Sequence, residues 1–166
     1  MFVLGVDPGL TRCGYCCVQV GPNAPRAIAL GVIRTDPSRS VPQRLAEIQS
    51  EISALLDEVR PAVVAIERVL FQVNVRTAMS VGQASGIVMA TAAARGLEVV
   101  EYSPNEVKAA VTGSGAADKA QVAEMVRRLL GLASTPYPAD AADAAAVALC
   151  HAAQARFRAM ASGATS

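Results

Sequence analysis

Four carboxylates stand at positions where an acid is costly to keep. Residues 2–6, Phe-Val-Leu-Gly-Val, form an apolar run that ends on Asp7 and then turns through Pro8-Gly9-Leu10-Thr11. A Val- and Leu-rich run bounded by a Pro-Gly turn reads as a strand buried on both faces, and therefore central in a sheet. An acid closing such a strand needs a partner to offset its desolvation, and the compact turn leaves the backbone open to a ligand. Asp7 therefore either caps the turn or faces a metal ion or a phosphate. A second apolar run, residues 62–66, ends on Glu67. Sites in sheets with parallel strands gather at the C-terminal strand ends, so these two acids are expected to be neighbours. The third feature is Asp140-Ala-Ala-Asp143, an i, i+3 pair on the first turn of a helix. Acids are favourable at any helix N-terminus. Here, however, the same face continues as Ala144 and Val147, a stripe expected to pack on the sheet and to point the acids inward. His151 shares the azimuth of Asp140 but lies roughly 16 Å along the helix. It is too far to share a metal and is read as structural or DNA-facing.

The elements that must hold these acids follow from periodicity. Residues 14–20 and 27–35 favour strands, and the turn 21–25 joins them as a hairpin beside the first strand. A helix over residues 41–59 puts Leu45, Ile48, Ile52, Leu55, Leu56 and Val59 on one face. A helix over 77–95 carries Ala78, Gly82, Gly86 and Ala90 four apart, which permits close approach of another element, either within the chain or across a dimer axis. Residues 97–102 read as a fifth strand, and Pro104 opens a short helix carrying Lys108. Asp118 caps a helix that buries Val122, Met125, Val126, Leu129 and Leu130. The last helix is expected from 139 to about 157, with 159–166 as a flexible tail. One domain over residues 1–158 accounts for the chain of 166 residues.

Composition excludes several classes. The apolar fraction is 52%, but the excess is alanine at helical spacing, and no run approaches the roughly 20 residues of a membrane span. The N-terminus has no basic segment followed by a cleavage site, so a cytoplasmic protein without a secretory signal is expected. Cys13, Cys16, Cys17 and Cys150 read as reduced core residues. Cys13 and Cys16 form a C-x-x-C, but it lies inside a strand pattern and has no second pair to complete a zinc site. The net charge is +1, from 15 basic and 14 acidic residues. Setting four acids aside around metal ions leaves 15 against 10, or +5, enough for a basic surface that meets DNA.

Asp7 in V-D-P-G-L-T, Glu67 in A-I-E-R, and D-A-A-D-A-A-A together resemble the RuvC family of Holliday-junction resolvases. The likeness extends over residues 1–158 and includes Asn74, Gly82-Gln83-Ala84-Ser85-Gly86, Val107-Lys108 and the stretch from Asp118 to Val122. It implies an α/β, RNase H-like fold, a five-stranded mixed sheet flanked by α-helices. It also implies a homodimer that acts on four-way junction DNA in recombination and repair, with the RuvA–RuvB branch-migration complex as partner. Carried over by position, Asp7, Glu67, Asp140 and Asp143 would be catalytic and metal-binding. Lys108 and Lys119, the two lysines of the chain, would serve the DNA, as would Leu70, Phe71 and Arg76. Many relatives have an aromatic residue three after the glutamate, where this chain has Leu70 and then Phe71. Phe71 is the better candidate for a wedge that stacks on an unpaired base at the junction centre. The implied cofactor is Mg²⁺, two ions per site, with Mn²⁺ able to substitute. Two divalent ions about 3.5–4 Å apart stabilise both oxygens of an in-line displacement, and their four positive charges match four oxygen-donor acids without histidine or thiol. The expected product is a nick with 5′-phosphate and 3′-hydroxyl ends. An actin-like ATPase begins with a similar Asp-Gly-Thr loop, but it needs a second subdomain and a second phosphate loop. A noncatalytic DNA-binding module of the same fold is the other alternative, and it should have lost one or more of the acids.

Overall fold

Strand β1 (Phe2–Asp7) is fully enclosed at Val3, Leu4 and Val6, each 0% exposed. Enclosure on both faces requires strands on both edges and helices above and below, and the chain supplies all of these. The computed structural model describes residues 1–69 and 75–163, with side chains to residue 157. Strands β2 (Arg12–Gln19) and β3 (Arg26–Arg34) form the hairpin, and β4 (Val63–Glu67) and β5 (Glu98–Tyr102) complete a five-stranded sheet in the order β3-β2-β1-β4-β5. The β1/β2 and β2/β3 pairs are antiparallel, while β1/β4 and β4/β5 are parallel. The mixed α/β sheet expected from the sequence is therefore present.

The pleat decides which way each residue faces. Leu4, Val6, Val64 and Ile66 join a core under α1 (Val41–Val59) and α2 (Val75–Ala93). Val3, Val63 and Ala65 join a second core under α3 (Pro104–Thr112), α4 (Lys119–Leu129) and α5 (Ala139–Gly163). Asp7 and Glu67 fall in the same alternation as Val3 and Ala65, so both acids face the α5 layer. Helix α1 is held by Ile48, Ile52, Leu55 and Leu56, each contributing about 1.5–3 kcal/mol by burial.

Helix α5 lies directly on β1 and β2 because two glycines leave room for its backbone. A Cβ on Gly5 would run into the Ala144 carbonyl and the Ala148 nitrogen, and one on Gly14 into the carbonyl of Asp140. Gly14 is also the cross-strand partner of Asp7, so the contact that seats α5 brings Asp140 to the end of β1. Gly14→Ala is expected to lift the first turn of α5, costing roughly 1–3 kcal/mol as overpacking and slowing any reaction that needs Asp140. Gly21→Ala, in the open hairpin turn where a Cβ meets nothing within 4 Å, should leave the melting temperature unchanged in the same thermal scan.

Several expectations are refined. Cys13 and Cys16 lie three apart on a strand and so enter opposite core layers. They cannot chelate together, and burial pushes both thiols up to about 12. His151 is buried, and its Nδ1 shares a hydrogen bond of 2.9 Å with Tyr102 Oη. It is structural and not DNA-facing. Helix α5 runs to Gly163, past the end expected near Phe157, since Arg158, Ala159, Met160 and Ala161 are all strong helix formers. A Cβ on Gly82 or Gly86 would meet no described atom within 4 Å. Tight packing against the described residues is therefore not the reason for these glycines. Among the described residues, no helix is long and apolar enough to cross a membrane.

Candidate active site

The parallel register Val6↔Ile66 sets Asp7 and Glu67 side by side at the C-terminal ends of β1 and β4. Asp140 and Asp143, both half-buried, reach the same place from the N-terminal end of α5. All four sequence-predicted acids thus meet in one electrostatic neighbourhood. Asp7 is raised from 3.8 to about 8, first by burial and then by the charges of Glu67, Asp143 and Asp140. Glu67 is also raised, first by burial and then by Asp143, with Lys119 and Lys108 pulling the other way. A carboxylic acid near neutral in its titration, facing three others, is a site that lacks its counter-charge.

Two basic side chains supply part of that charge. Lys119 Nζ donates to Asp143 Oδ2 at 3.0 Å, and Arg12 Nε lies 3.3 Å from Asp140 Oδ2. Lys119 is placed by local structure, as the first residue of α4. Its neighbour Asp118 accepts from the Gln121 amide at 2.8 Å while the Asp118 amide donates to Gln121 Oε1 at 2.9 Å, a reciprocal cap. The Asp143 bond holds the Lys119 ammonium above its ordinary pKa. Lys108 faces it across a cavity of about 180 Å³ that is bounded by Glu67, Val107, Val122 and Asp143. Arg76 lies in a separate groove on the other side of Asp140. Leu70, Phe71 and Asn74 lie outside the described residues.

Among the described residues, no three Asp, Glu, His or Cys side chains converge as a ready-made metal cage. The two α5 acids are each paired with a basic side chain, Asp143 with Lys119 and Asp140 with Arg12. The donor set nonetheless fits a hard divalent cation, being all carboxylate oxygen with a buried acid at its centre.

Sequence reasoning missed Arg12 and Arg44. Arg12 pairs with Asp140 through the β2–α5 contact, which no local pattern encodes. Arg44 is buried and did leave a signal, standing four residues before Ile48 in line with the apolar stripe of α1.

An RNase H-like sheet with acids gathered at its strand ends is the architecture of the metal-dependent nucleases. Residues 3–151 match the family described as crossover junction endodeoxyribonuclease RuvC. The chain is 53% identical over 168 residues to the RuvC of Frankia casuarinae, covering 98% of each, and 55% identical over 152 residues to that of Salinispora arenicola, covering 91% of this chain and 87% of the relative. It is similar to the solved Thermus thermophilus RuvC, with a TM-score of 0.87 at 39% identity, covering 95% of this chain and 96% of that one. The same Thermus protein in complex with a Holliday junction substrate gives a TM-score of 0.89 over the same shares of the two chains. The chain belongs to the RuvC family and is an endonuclease.

Proposed function

We propose that this protein resolves four-way DNA junctions, making paired symmetric nicks by metal-assisted phosphodiester hydrolysis in recombination and repair. The observation that carries this reading is Asp7 at the end of β1 among Glu67, Asp143 and Asp140, raised to about 8 by burial first and by those three charges second. Asp7, Glu67, Asp140 and Asp143 would hold two Mg²⁺, for which Mn²⁺ is a fitting substitute. When bound, the cations supply an activated water and stabilise the attacking and leaving oxygens. Asp7 must give up its proton to serve as a ligand, so loading should become easier as pH rises toward 8. Lys119 must leave Asp143, which frees its ammonium to meet the phosphate beside the site, and Lys108 on the opposite wall serves the same strand.

Four acids brought together, two on strand ends and two on α5, support catalysis over a noncatalytic DNA-binding module. The reading also includes a homodimer, the RuvA–RuvB branch-migration complex as partner, and work in the cytoplasm. Leu70, Phe71 and Arg76 are assigned to the junction, with Phe71 as the wedge. The test is a cleavage assay on a synthetic four-way junction with different divalent ions. Mg²⁺ and Mn²⁺ should support nicking while Ca²⁺ supports binding alone, because the loose coordination of calcium defines the in-line geometry poorly. Equal turnover in Ca²⁺ would count against the two-metal reading.

A further inference from the structure

Arg44 is a buried charge with no carboxylate within ion-pair distance among the described residues, and it meets Asp36 only through space. It is 8% exposed, and it donates from Nε to Thr35 Oγ1 at 2.8 Å and from Nη2 to Thr11 Oγ1 at 2.7 Å. Both acceptors are neutral hydroxyls. Among the described residues, no acid lies within ion-pair distance of Arg44. No buried side-chain nitrogen or oxygen lacks a partner, so Nη1, which makes no bond among the described residues, is reached by solvent. Desolvating a guanidinium without a counter-ion is costly, and such a group is most simply retained for an anion that arrives from outside.

The surroundings of Arg44 fit that anion. It lines an open groove between the β1–β2 turn and the first turns of α1 and α2, together with Thr11, Arg12, Arg76, Thr77 and Ser80. Asp140 closes one end of the groove and is tied to Arg12 at 3.3 Å. Three guanidiniums against one carboxylate make this surface basic in a chain whose net charge is +1. Planar guanidinium forks and hydroxyls are the groups that bind phosphodiester oxygens.

We infer that this groove is a phosphate subsite, in which Arg44, Thr11 and Arg12 hold a non-scissile phosphate of the DNA strand whose neighbouring phosphate lies at the four acids. The inference rests on the resolvase reading and adds to it a positioning contact outside the acid cluster. A phosphate anchored beside Asp140 fixes the register of the strand and therefore the bond that is presented for attack.

The test uses Arg44→Gln, Arg44→Lys and Ser80→Glu in the full-length chain. Ser80 lines the groove and among the described residues bonds only to the Thr77 carbonyl, so Ser80→Glu adds a repelling charge without touching the Arg44 contacts. Binding to a four-way junction is measured in Ca²⁺ over a series of salt concentrations, with thermal melts alongside. Arg44→Gln and Ser80→Glu should each weaken binding by about tenfold at fixed salt. Arg44→Gln should also flatten the dependence of log K on log salt by about one unit, the loss of one phosphate contact. Arg44→Lys, which keeps the charge, should recover most of the slope. Wild-type affinity and slope in both Arg44→Gln and Ser80→Glu would overturn the assignment. So would a loss in Arg44→Gln that follows only its lowered melting temperature while Ser80→Glu binds normally, leaving Arg44 a clamp between β1, β3 and α1. If Arg44→Gln does not fold, Ser80→Glu alone decides. Normal junction cutting by wild type together with normal binding by the groove variants would reject the subsite alone. A wild type that neither binds nor cuts junctions would reject the resolvase reading itself.

Discussion

Asp7→Asn is expected to bind four-way junctions in Ca²⁺ much as the wild type does, to lose cutting by 10³-fold or more, and to melt at a higher temperature when metal-free. The first effect follows because backbone phosphates supply most of the DNA affinity. The second follows from removing the carboxylate most deeply placed among the four, and a 10³-fold loss corresponds to about 4 kcal/mol of barrier. The third comes from linkage. The folded-state pKa of Asp7 is raised from 3.8 to about 8, so between those values the native protein holds a proton that the unfolded chain has released. The stability contributed by that proton is fully present below about 3.8 and is lost as pH rises through about 8. At about 1.4 kcal/mol per pKa unit the loss is on the order of several kcal/mol. Glu67 is raised as well and acts with the same sign. Thermal melts in chelator from pH 5 to 9 should therefore fall for the wild type and be flatter for Asp7→Asn, while Mg²⁺ should restore the wild type most at the alkaline end. Wild-type cutting by the variant, or parallel melting curves, would dismiss the role given to Asp7.

The same electrostatics separates the strand acids from the helix acids. The strand acids Asp7 and Glu67 are held at the sheet ends, where burial first and neighbouring carboxylates second raise both pKa values. The helix acids Asp140 and Asp143 carry their charge to Arg12 and Lys119 instead. Removing an acid relieves that repulsion, the usual cost of a functional cluster to the stability of its fold.

How much of this was legible in the sequence depended on whether the signal was local. Asp7 and Glu67 could be found because apolar runs that stop on an acid are visible in a few residues, and parallel strand ends bring such acids together. Asp140 and Asp143 could be found because Ala144 and Val147 continue their face. Helix α1 was legible to its exact bounds, since its stripe runs unbroken from Leu45 to Val59. The partners of the α5 acids were not legible as such. Arg12 reaches Asp140 only because Gly5 and Gly14 let α5 settle on β1 and β2, and no window of sequence contains that contact. His151 could not be assigned from its helix position alone, because its partner Tyr102 lies on β5. Gly82 and Gly86 showed a spacing without showing what it is for.

Those two glycines carry the remaining large effect. A Cβ at Gly86 meets no described atom within 4 Å, and the same holds at Gly82. Nearby on α2, Val75 is 74% and Met79 62% exposed. Glycine costs about 0.8–1 kcal/mol in a helix interior relative to alanine, so a pair of them with no described neighbour needs a reason. Two symmetric nicks in one junction need two matched sites, and a second copy approaching along this face would supply both the reason and the second site. Gly86→Leu should then separate folding from assembly. The protomer should gain helix propensity and melt no lower than wild type, while the isobutyl group holds two α2 helices apart and weakens the dimer by 10²-fold or more, about 2.7 kcal/mol. Sedimentation velocity reads the assembly directly. A supercoiled plasmid with an extruded cruciform reads the consequence, since two nicks in one encounter give linear DNA and a single nick gives an open circle. Gly86→Leu should shift the product from linear to open circle at protein concentrations where the wild type is dimeric. A variant that sediments as a dimer with wild-type affinity and still yields linear DNA would place the dimer axis elsewhere on the molecule.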